Sequence, residues 1–456
     1  MSHRMRGWLL FLAAVAAAPA PAVAQPRVGV KELYAMALEQ DPAWLAAQKA
    51  WQADSQSKNI ARSEMLPQVR LNYQNAPYNK QIREEPQTTA SGRARTTTGV
   101  RHYDSYNGSI GVTQPVFDYG AWSRYRAAVE QGYMADARLR DKEMELAVRT
   151  VNLYLDLSLA IQKRELASHS EAALREQLKV NTRLLATGEG TRTEVLETET
   201  RLRIAETETL ACQDELDVAR RALAAVVGHP LTRLSQLKTE VTDRFTPLPL
   251  LPTSYEDWQK LALTNNASVS NARHQVEQSR YNLSAQKAEY LPQVSVYASR
   301  ALSHSATDTS IDRHYDTTSV GIQVSMSLYA GGRTNAARRQ AGAELGRSQY
   351  ELENTLRSTS NELYKAWKQS AGAAARLRAY SLAVEAAQLQ LNATQKGVVA
   401  GQRVNLDILN ARQQLFSARK DLITEKYNYI RSWLMLHYHA GRLTQEELKK
   451  IDRYFS

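Results

Sequence analysis

The chain is written twice, and that duplication limits its folds more than any other feature. Glu32 to Leu38 aligns with Asp257 to Leu263 at an offset of 225, and without a gap the same offset brings Leu66-Pro67-Gln68-Val69 onto Leu291-Pro292-Gln293-Val294. Further on, Gln114-Pro115-Val116-Phe117 meets Met326-Ser327-Leu328-Tyr329 at an offset of 212, and Thr187-Gly188 meets Ala400-Gly401 at 213. Chance could supply one match but not their shared order. Internal repetition of this kind means one structural unit built more than once. The drop in offset places a longer loop in the first half, between its two strand regions. The near-constant offset afterwards predicts two helices of nearly equal length.

Each half reads helix, strand, loop, strand, long helix, turn, helix. Strands are expected at about 67–76, 103–117, 291–302 and 315–329. In the last of these, Val320, Ile322, Val324, Met326 and Leu328 alternate with Ser319, Gly321, Gln323, Ser325 and Ser327. Period-two alternation puts apolar groups on one face and small or polar groups on the other. A soluble sheet with one buried face has this pattern, and so does a barrel with lipid outside and water inside. The polar segment Pro77 to His102 is expected to be a mobile, exposed loop, with Ser303 to Arg313 as its shorter counterpart.

No proline interrupts the chain from Tyr119 to Thr187, a stretch of roughly 100 Å at ~1.5 Å per helical residue. Met144, Val148, Val151 and Leu155 form one seam on it, and Leu146, Thr150, Leu153 and Leu157 a second. Two seams imply a helix packed on two sides. The closing helix carries Leu409, Gln413, Phe416, Lys420, Ile423, Tyr427, Ile430 and Leu434 at heptad spacing, a packing stripe. Prolines 230, 247, 249 and 252 mark a linker. The expected division is a signal at 1–24, a first repeat at 25–227, a linker at 228–254, a second repeat at 255–440 and a tail at 441–456.

Arg4 and Arg6 precede an apolar run from Trp8 to Ala18, and Ala22-Val23-Ala24 offers a cleavage site before Gln25. An exported mature chain is expected. No later apolar run reaches the ~18 residues of a membrane helix, so entry into a membrane requires a β-barrel. Cys212 is the only cysteine, which excludes an intrachain disulfide. Gln25 stands where a lipoprotein would need a cysteine. The formal charge is +11, and +9 once Arg4 and Arg6 leave with the signal. The basic residues are spread along amphipathic helices, which, with export, argues against a nucleic-acid partner.

Four strands cannot close a transmembrane barrel, because the smallest have about eight. Closure removes unpaired edges, so several chains must share one barrel. Counting strands allows two, three or four chains. Leu66-Pro67-Gln68-Val69, Gln114-Pro115-Val116-Phe117, Val399-Ala400-Gly401-Gln402-Arg403 and Tyr427-Asn428-Tyr429-Ile430 are similar to the repeat motifs of the TolC outer-membrane efflux family. The resemblance spans almost the whole mature chain. It implies an α+β membrane protein: a homotrimer with a twelve-stranded outer-membrane β-barrel, four strands from each chain, continued by a long periplasmic α-helical coiled-coil barrel. Phe117, Tyr119, Trp122, Tyr125 and, in the second half, Tyr329 stand where either an interfacial aromatic girdle or ordinary strand-to-helix packing would place them.

The turns carry the remaining chemistry. Gly188, Gly190 and Gly401 end the long helices. Thr191 to Glu194 fits a capping box, and Asn405 is expected to cap the closing helix with Asp407 in its first turn. Capping alone accounts for Glu194 and Asp407. The resemblance adds a second role, because in this family these turns form the periplasmic gate. Asp407 matches an acidic position facing the pore, Arg403 the arginine that ties the hairpin to its neighbour, and Thr193 and Glu194 the opposing positions. Asn410 replaces a second acidic residue, so each chain supplies one carboxylate there. Val398 stands where a tyrosine often makes a gating hydrogen bond. Arg403 contacts with Thr193 and Glu194 are expected to hold the resting tip shut.

An enzyme would need a catalytic or metal constellation. No zinc spacing, phosphate loop or nucleophile elbow occurs, and His229, His274, His304, His437 and His439 are scattered. No metal or cofactor is expected. A periplasmic adaptor is the other alternative, but it would not need duplicated strand pairs. The resemblance implies a passive exit duct for type I protein secretion, small-molecule efflux or both. Its implied partners are outer-membrane lipid, a periplasmic adaptor and an inner-membrane transporter, ABC or proton-driven.

Overall fold

The computed structural model describes residues 28–88, 90, 92–228, 237–239, 241, 245–305 and 313–455. The expected signal, His229 and Pro230 lie outside them. Three helices open the chain: α1 (Val30–Gln40), α2 (Pro42–Ser55) and α3 (Ser57–Ser63). Asp41 separates the first two. Its carboxylate caps α2 by accepting from the Trp44 amide at 2.8 Å, and Pro42 supplies a pre-set first helical residue. The same buried carboxylate accepts from Arg149 of the next helix at 2.6 Å. In the second half, Asn266 takes the corresponding place. It divides α6 (Tyr255–Asn265) from α7 (Ala267–Ala288) and accepts from the Val269 amide at 3.1 Å.

The strands are β1 (Gln68–Thr88), β2 (Ala94–Phe117), β3 (Gln293–Ser305) and β4 (Arg313–Ser325). They form one antiparallel sheet in the order β1-β2-β3-β4. The register aligns the apolar positions of all four on one face. Val69 opposes Val112, Val112 opposes Ala298, and Ala298 opposes Val320. This face is bare in the single chain, with Leu71 and Val320 each 75% exposed. The outer edges of β1 and β4 have no partner strand within the described residues.

Two expectations about the strands are corrected. Much of 77–102 is strand and not loop, because β1 runs on to Thr88 and β2 begins at Ala94, pairing as a two-stranded ribbon well past the ends of β3 and β4. Its side chains are mostly polar, with Ile82 opposite Val100 as an isolated apolar pair, so no hydrophobic alternation announced it, while its main-chain groups pair in the usual ladder. A bulge lies between Ala76 and Asn79, at Pro77, which cannot donate to the ladder. Asn79 seals it by donating to Ala76 O at 3.2 Å and Ser105 Oγ at 3.0 Å. Second, β4 stops at Ser325, short of Tyr329. Gly331 and Gly332, at φ of 62° and 84°, turn the chain out of the sheet.

The long helices follow. Helix α4 (Tyr119–Ala186) has 68 residues and α8 (Arg333–Val399) has 67. Each folds back through a glycine turn, into α5 (Arg192–Val227) and α9 (Asn405–His439). A short helix, α10 (Gln445–Asp452), closes the chain. Both anticipated seams of α4 are used: Leu146, Leu155 and Leu157 are buried in the main core. That core joins α1, α4, α5 and α9 to α10. The linker packs back onto it through Leu237, Phe245 and Leu248, with the Leu248 amide donating to the Tyr429 hydroxyl at 2.7 Å. No helix among the described residues is long and apolar enough to cross a membrane.

Asp41→Ala removes both a cap and a charge-assisted hydrogen bond, so a loss of about 2 kcal/mol is expected. Asp41→Asn, which copies Asn266, should lose about half as much. Denaturant unfolding of the two variants checks the order.

Candidate functional site

The two helical hairpins end in turns built on one plan. In the first, the Glu189 and Gly190 amides both donate to Leu184 O, at 2.9 and 3.0 Å; in the second, Gln402 and Arg403 both donate to Gly397 O, at 2.8 and 3.2 Å. These bonds satisfy carbonyls that a helix end would otherwise leave open. Gly188 and Gly401 supply the left-handed residue of each turn, at φ of 84° and 69°.

The plan leaves room for only one full side chain across each turn. A Cβ at Gly190 would lie 3.0 Å from Leu184 Cβ, and one at Gly397 would lie 3.0 Å from Arg403 Cγ. The first turn therefore pairs Leu184 with Gly190, and the second reverses the arrangement with Gly397 and Arg403. Gly397 makes room for the arginine stem. The sequence signal for this was available, since a glycine inside the last turn of a helix is costly unless something packs there.

Arg403 is exposed and pairs with Asp407 of its own chain at 3.7 Å, one helical turn along α9. Asp407 lies in the first turn of that helix. Asn405 does not cap it. The cap position is Val404, with no side-chain bond, and Asn405 is buried, accepting from Gln177 of α4 at 3.4 Å. The reason is packing, because the first turn of α9 lies against α4, which draws the amide into the interface. The capping box of α5 is present as expected. Glu194 Oε2 accepts from the Thr191 amide at 3.0 Å, and Thr191 Oγ1 accepts from the Glu194 amide at 3.3 Å. Thr193 is exposed beside it. Within one chain, no hydrogen bond or ion pair joins Arg403 to Thr193 or Glu194 among the described residues.

Polar contacts above the tips join the hairpins. Arg201 of α5 donates to Asn410 Oδ1 at 3.0 Å. Arg412 of α9 donates to Ala173 O at 2.9 Å and Gln177 Oε1 at 3.4 Å, and its burial pushes the guanidinium pKa down. Asn181, itself buried, donates to Thr198 Oγ1 at 2.8 Å. Sequence reasoning missed Arg201 and Arg412, since an arginine on a long amphipathic helix reads as a solvated face.

At the other end of α4, Tyr119 and Trp122 stack at 5.3 Å, and Trp122 meets Tyr281 edge-on at 6.2 Å. Phe117, Tyr119 and Trp122 remain 46%, 40% and 42% exposed. Tyr125 is half-buried and Tyr329 is 86% exposed. Among the described residues, no three histidine, cysteine or carboxylate groups converge as a metal site would require.

A bare apolar sheet face joined to helices of nearly 70 residues is the form of an outer-membrane channel subunit, and comparison with known proteins agrees. The outer membrane efflux protein family matches residues 33–229 and 258–442. The chain belongs to that family, the TolC family that its repeat motifs resemble. It is 37% identical to the alkaline protease secretion protein AprF of Pseudomonas aeruginosa, over 94% of this chain and 87% of that one. It is 34% identical to the proteases secretion protein PrtF of Dickeya chrysanthemi, over 94% and 91%. The fold matches the outer membrane protein VceC of Vibrio cholerae with a TM-score of 0.75 at 18% identity, covering 90% of this chain and 96% of that one. The chain is thus an outer-membrane channel protein of export, with a large periplasmic portion, and not an adaptor.

Opposite glycine placement in the two turns predicts coupling between Gly397 and Arg403. Gly397→Leu with Arg403→Gly recreates the first turn. The double variant should be more stable than the sum of the single changes by about 1–2 kcal/mol. Hydrogen exchange at the second turn measures it, and simple additivity would sink the idea.

Proposed function

We propose that three copies of this chain close one twelve-stranded barrel in the outer membrane and continue it as a helical tunnel across the periplasm. The observation that carries this is the sheet itself: four strands, two open edges and one bare apolar face. Open edges in lipid leave backbone groups unsatisfied, and joining β4 of one copy to β1 of the next removes them all. The two repeats, 25–227 and 255–440, then supply alternate strand pairs and hairpins around the ring. The described linker residues Leu237, Phe245 and Leu248 pack on the helical body with α10, and the signal at 1–24 directs export. The exposed aromatics Phe117, Tyr119, Trp122 and Tyr329, with Tyr125, mark the periplasmic boundary of the lipid.

The apolar face meets lipid and the opposite face lines water. Ile322→Lys should cost about 2–4 kcal/mol and abolish stable insertion, whereas Ser319→Lys on the other face should insert normally. Membrane fractionation of the two variants is the check, and equal behaviour would contradict the orientation.

The duct is passive and serves type I protein secretion, which the full-length relationship to two protease-secretion proteins supports. Driving energy comes from an inner-membrane ABC transporter through a periplasmic adaptor at the helical tips. Asp407 contributes one carboxylate per chain to the periplasmic constriction, and a ring of carboxylates favours cations. Arg403 holds the resting tip by exchanging its own-chain partner Asp407 for Thr193 and Glu194 of the neighbouring copy.

Single-channel recording in planar bilayers tests the duct and the gate together. A cation-preferring pore whose selectivity falls in Asp407→Ala is expected. Arg403→Ala should open the pore more often, and its effect should not add to that of Glu194→Ala. No conductance from inserted protein would overturn the channel assignment, and full additivity would overturn the gate. Export of a type I secreted protein in cells lacking their own channel tests the cargo.

A further inference from the structure

Between neighbouring helices of the hairpins, basic side chains usually meet carboxylates. Lys163 pairs with Glu215, Arg175 with Glu206, Lys420 with Glu208 and Arg376 with Glu425. Three arginines that also bridge between helices do not. Arg201 and Arg412 use the amide and carbonyl acceptors described above, and Arg419 donates to Gln388 Oε1 of α8 at 2.8 Å. None of the three has a carboxylate within 4.0 Å among the described residues. All three line one half-open cavity of about 280 Å³ between α4, α5, α8 and α9. Its wall also carries His169, with Leu391 and Phe416 as apolar sides, and no aspartate or glutamate.

Arg201 and Arg412 are half-buried while Arg419 stands exposed at the rim; a half-buried cation held only by neutral acceptors is an incomplete arrangement, because desolvation costs most where no opposite charge offsets it. A guanidinium has five N–H donors, and these three use one or two each, so donors remain. Their planar forks suit the two oxygens of a carboxylate or the edge of a tetrahedral oxyanion. We infer that this cavity is an oxyanion-binding site, in which Arg201, Arg412 and Arg419 converge on a single carboxylate, sulfate or phosphate group. The site adjoins the proposed gate, because Arg201 also holds Asn410. Two sources could present that chemistry: a free inorganic oxyanion, or an acidic side chain on a helix docked against the groove. Occupancy would bridge α5 to α9 by charge and stiffen the join between the hairpins.

Calorimetric titration of the purified, detergent-solubilised full chain tests the site, at constant ionic strength set with chloride. Sodium sulfate is one titrant, and N-acetylglutamate α-amide, a lone side-chain carboxylate, is the other. Saturable binding is expected, weakened at least tenfold in Arg412→Gln and in Arg419→Gln. Arg419 is exposed, so its variant should fold even if the Arg412 variant does not. Sulfate binding more tightly identifies a free oxyanion as the ligand. Equal or tighter binding of the carboxylate identifies an acidic side chain. No saturable heat with either titrant overturns the site, and so does binding unchanged in both variants.

Discussion

Unpaired main-chain groups along β1 and β4 are the constraint on which the rest of the architecture depends. Each costs several kcal/mol in hydrocarbon, where no water can replace the missing partner. The same sheet exposes valine, leucine and isoleucine on one face. A surface like this is stable neither alone in water nor alone in lipid. Closing the ladder with further copies and turning the apolar face to lipid resolves both problems at once. The small and polar residues opposite, such as Ser299 against Ser319 and Gly111 against Ser299, then have a reason to be small. A water-filled lumen needs no packed core.

In the proposed closed ring the two long helices must also match. Helices of 68 and 67 residues differ by ~1.5 Å in rise, so hairpins that start level end level. The sheet tolerates unequal halves, because extra length beyond β3 and β4 projects freely as the ribbon of β1 and β2. The helical body has no such freedom, since a longer hairpin would break the ring of tips. Length variation is therefore confined to the far end of the strands, where the offset between the halves changes.

Much of this was legible in the sequence, and the failures have specific causes. The duplication, the strand faces and the helix ends follow from period and glycine placement, which are properties of the chain itself. The ribbon at 77–102 was not legible, because main-chain pairing holds it and its side chains carry no apolar alternation. Asn405 looked like a cap because its type suits one. Its burial against Gln177 depends on where α4 lies, which no local pattern reveals. Gly397 and Gly190 were individually visible, but their exchange of roles across the turn needs the close approach of Leu184 or Arg403 in space. Arg412 presented the same difficulty. On paper it belongs to a solvated face, and only the fold places it between hairpins.

The two ends of the molecule differ in energetic character. The sheet is held by a continuous hydrogen-bond ladder, and in lipid no partial opening is inexpensive. The tips are held by little. Arg403 and Asp407 form an exposed pair one turn apart, a contact worth about 0.3–0.5 kcal/mol in such settings. Weakness here suits the proposed gate, because a pairing that must be exchanged for another cannot be strong on either side. Gly397 fits the same logic by letting the arginine stem lie across the turn without fixing its charged end. In the first hairpin, the capping box of α5 secures the helix start at the tip, and the buried Asn181–Thr198 bond ties α4 to α5 higher up. The second hairpin lacks that support, because Val404 holds the cap position of α9 with no side-chain bond to its first turn.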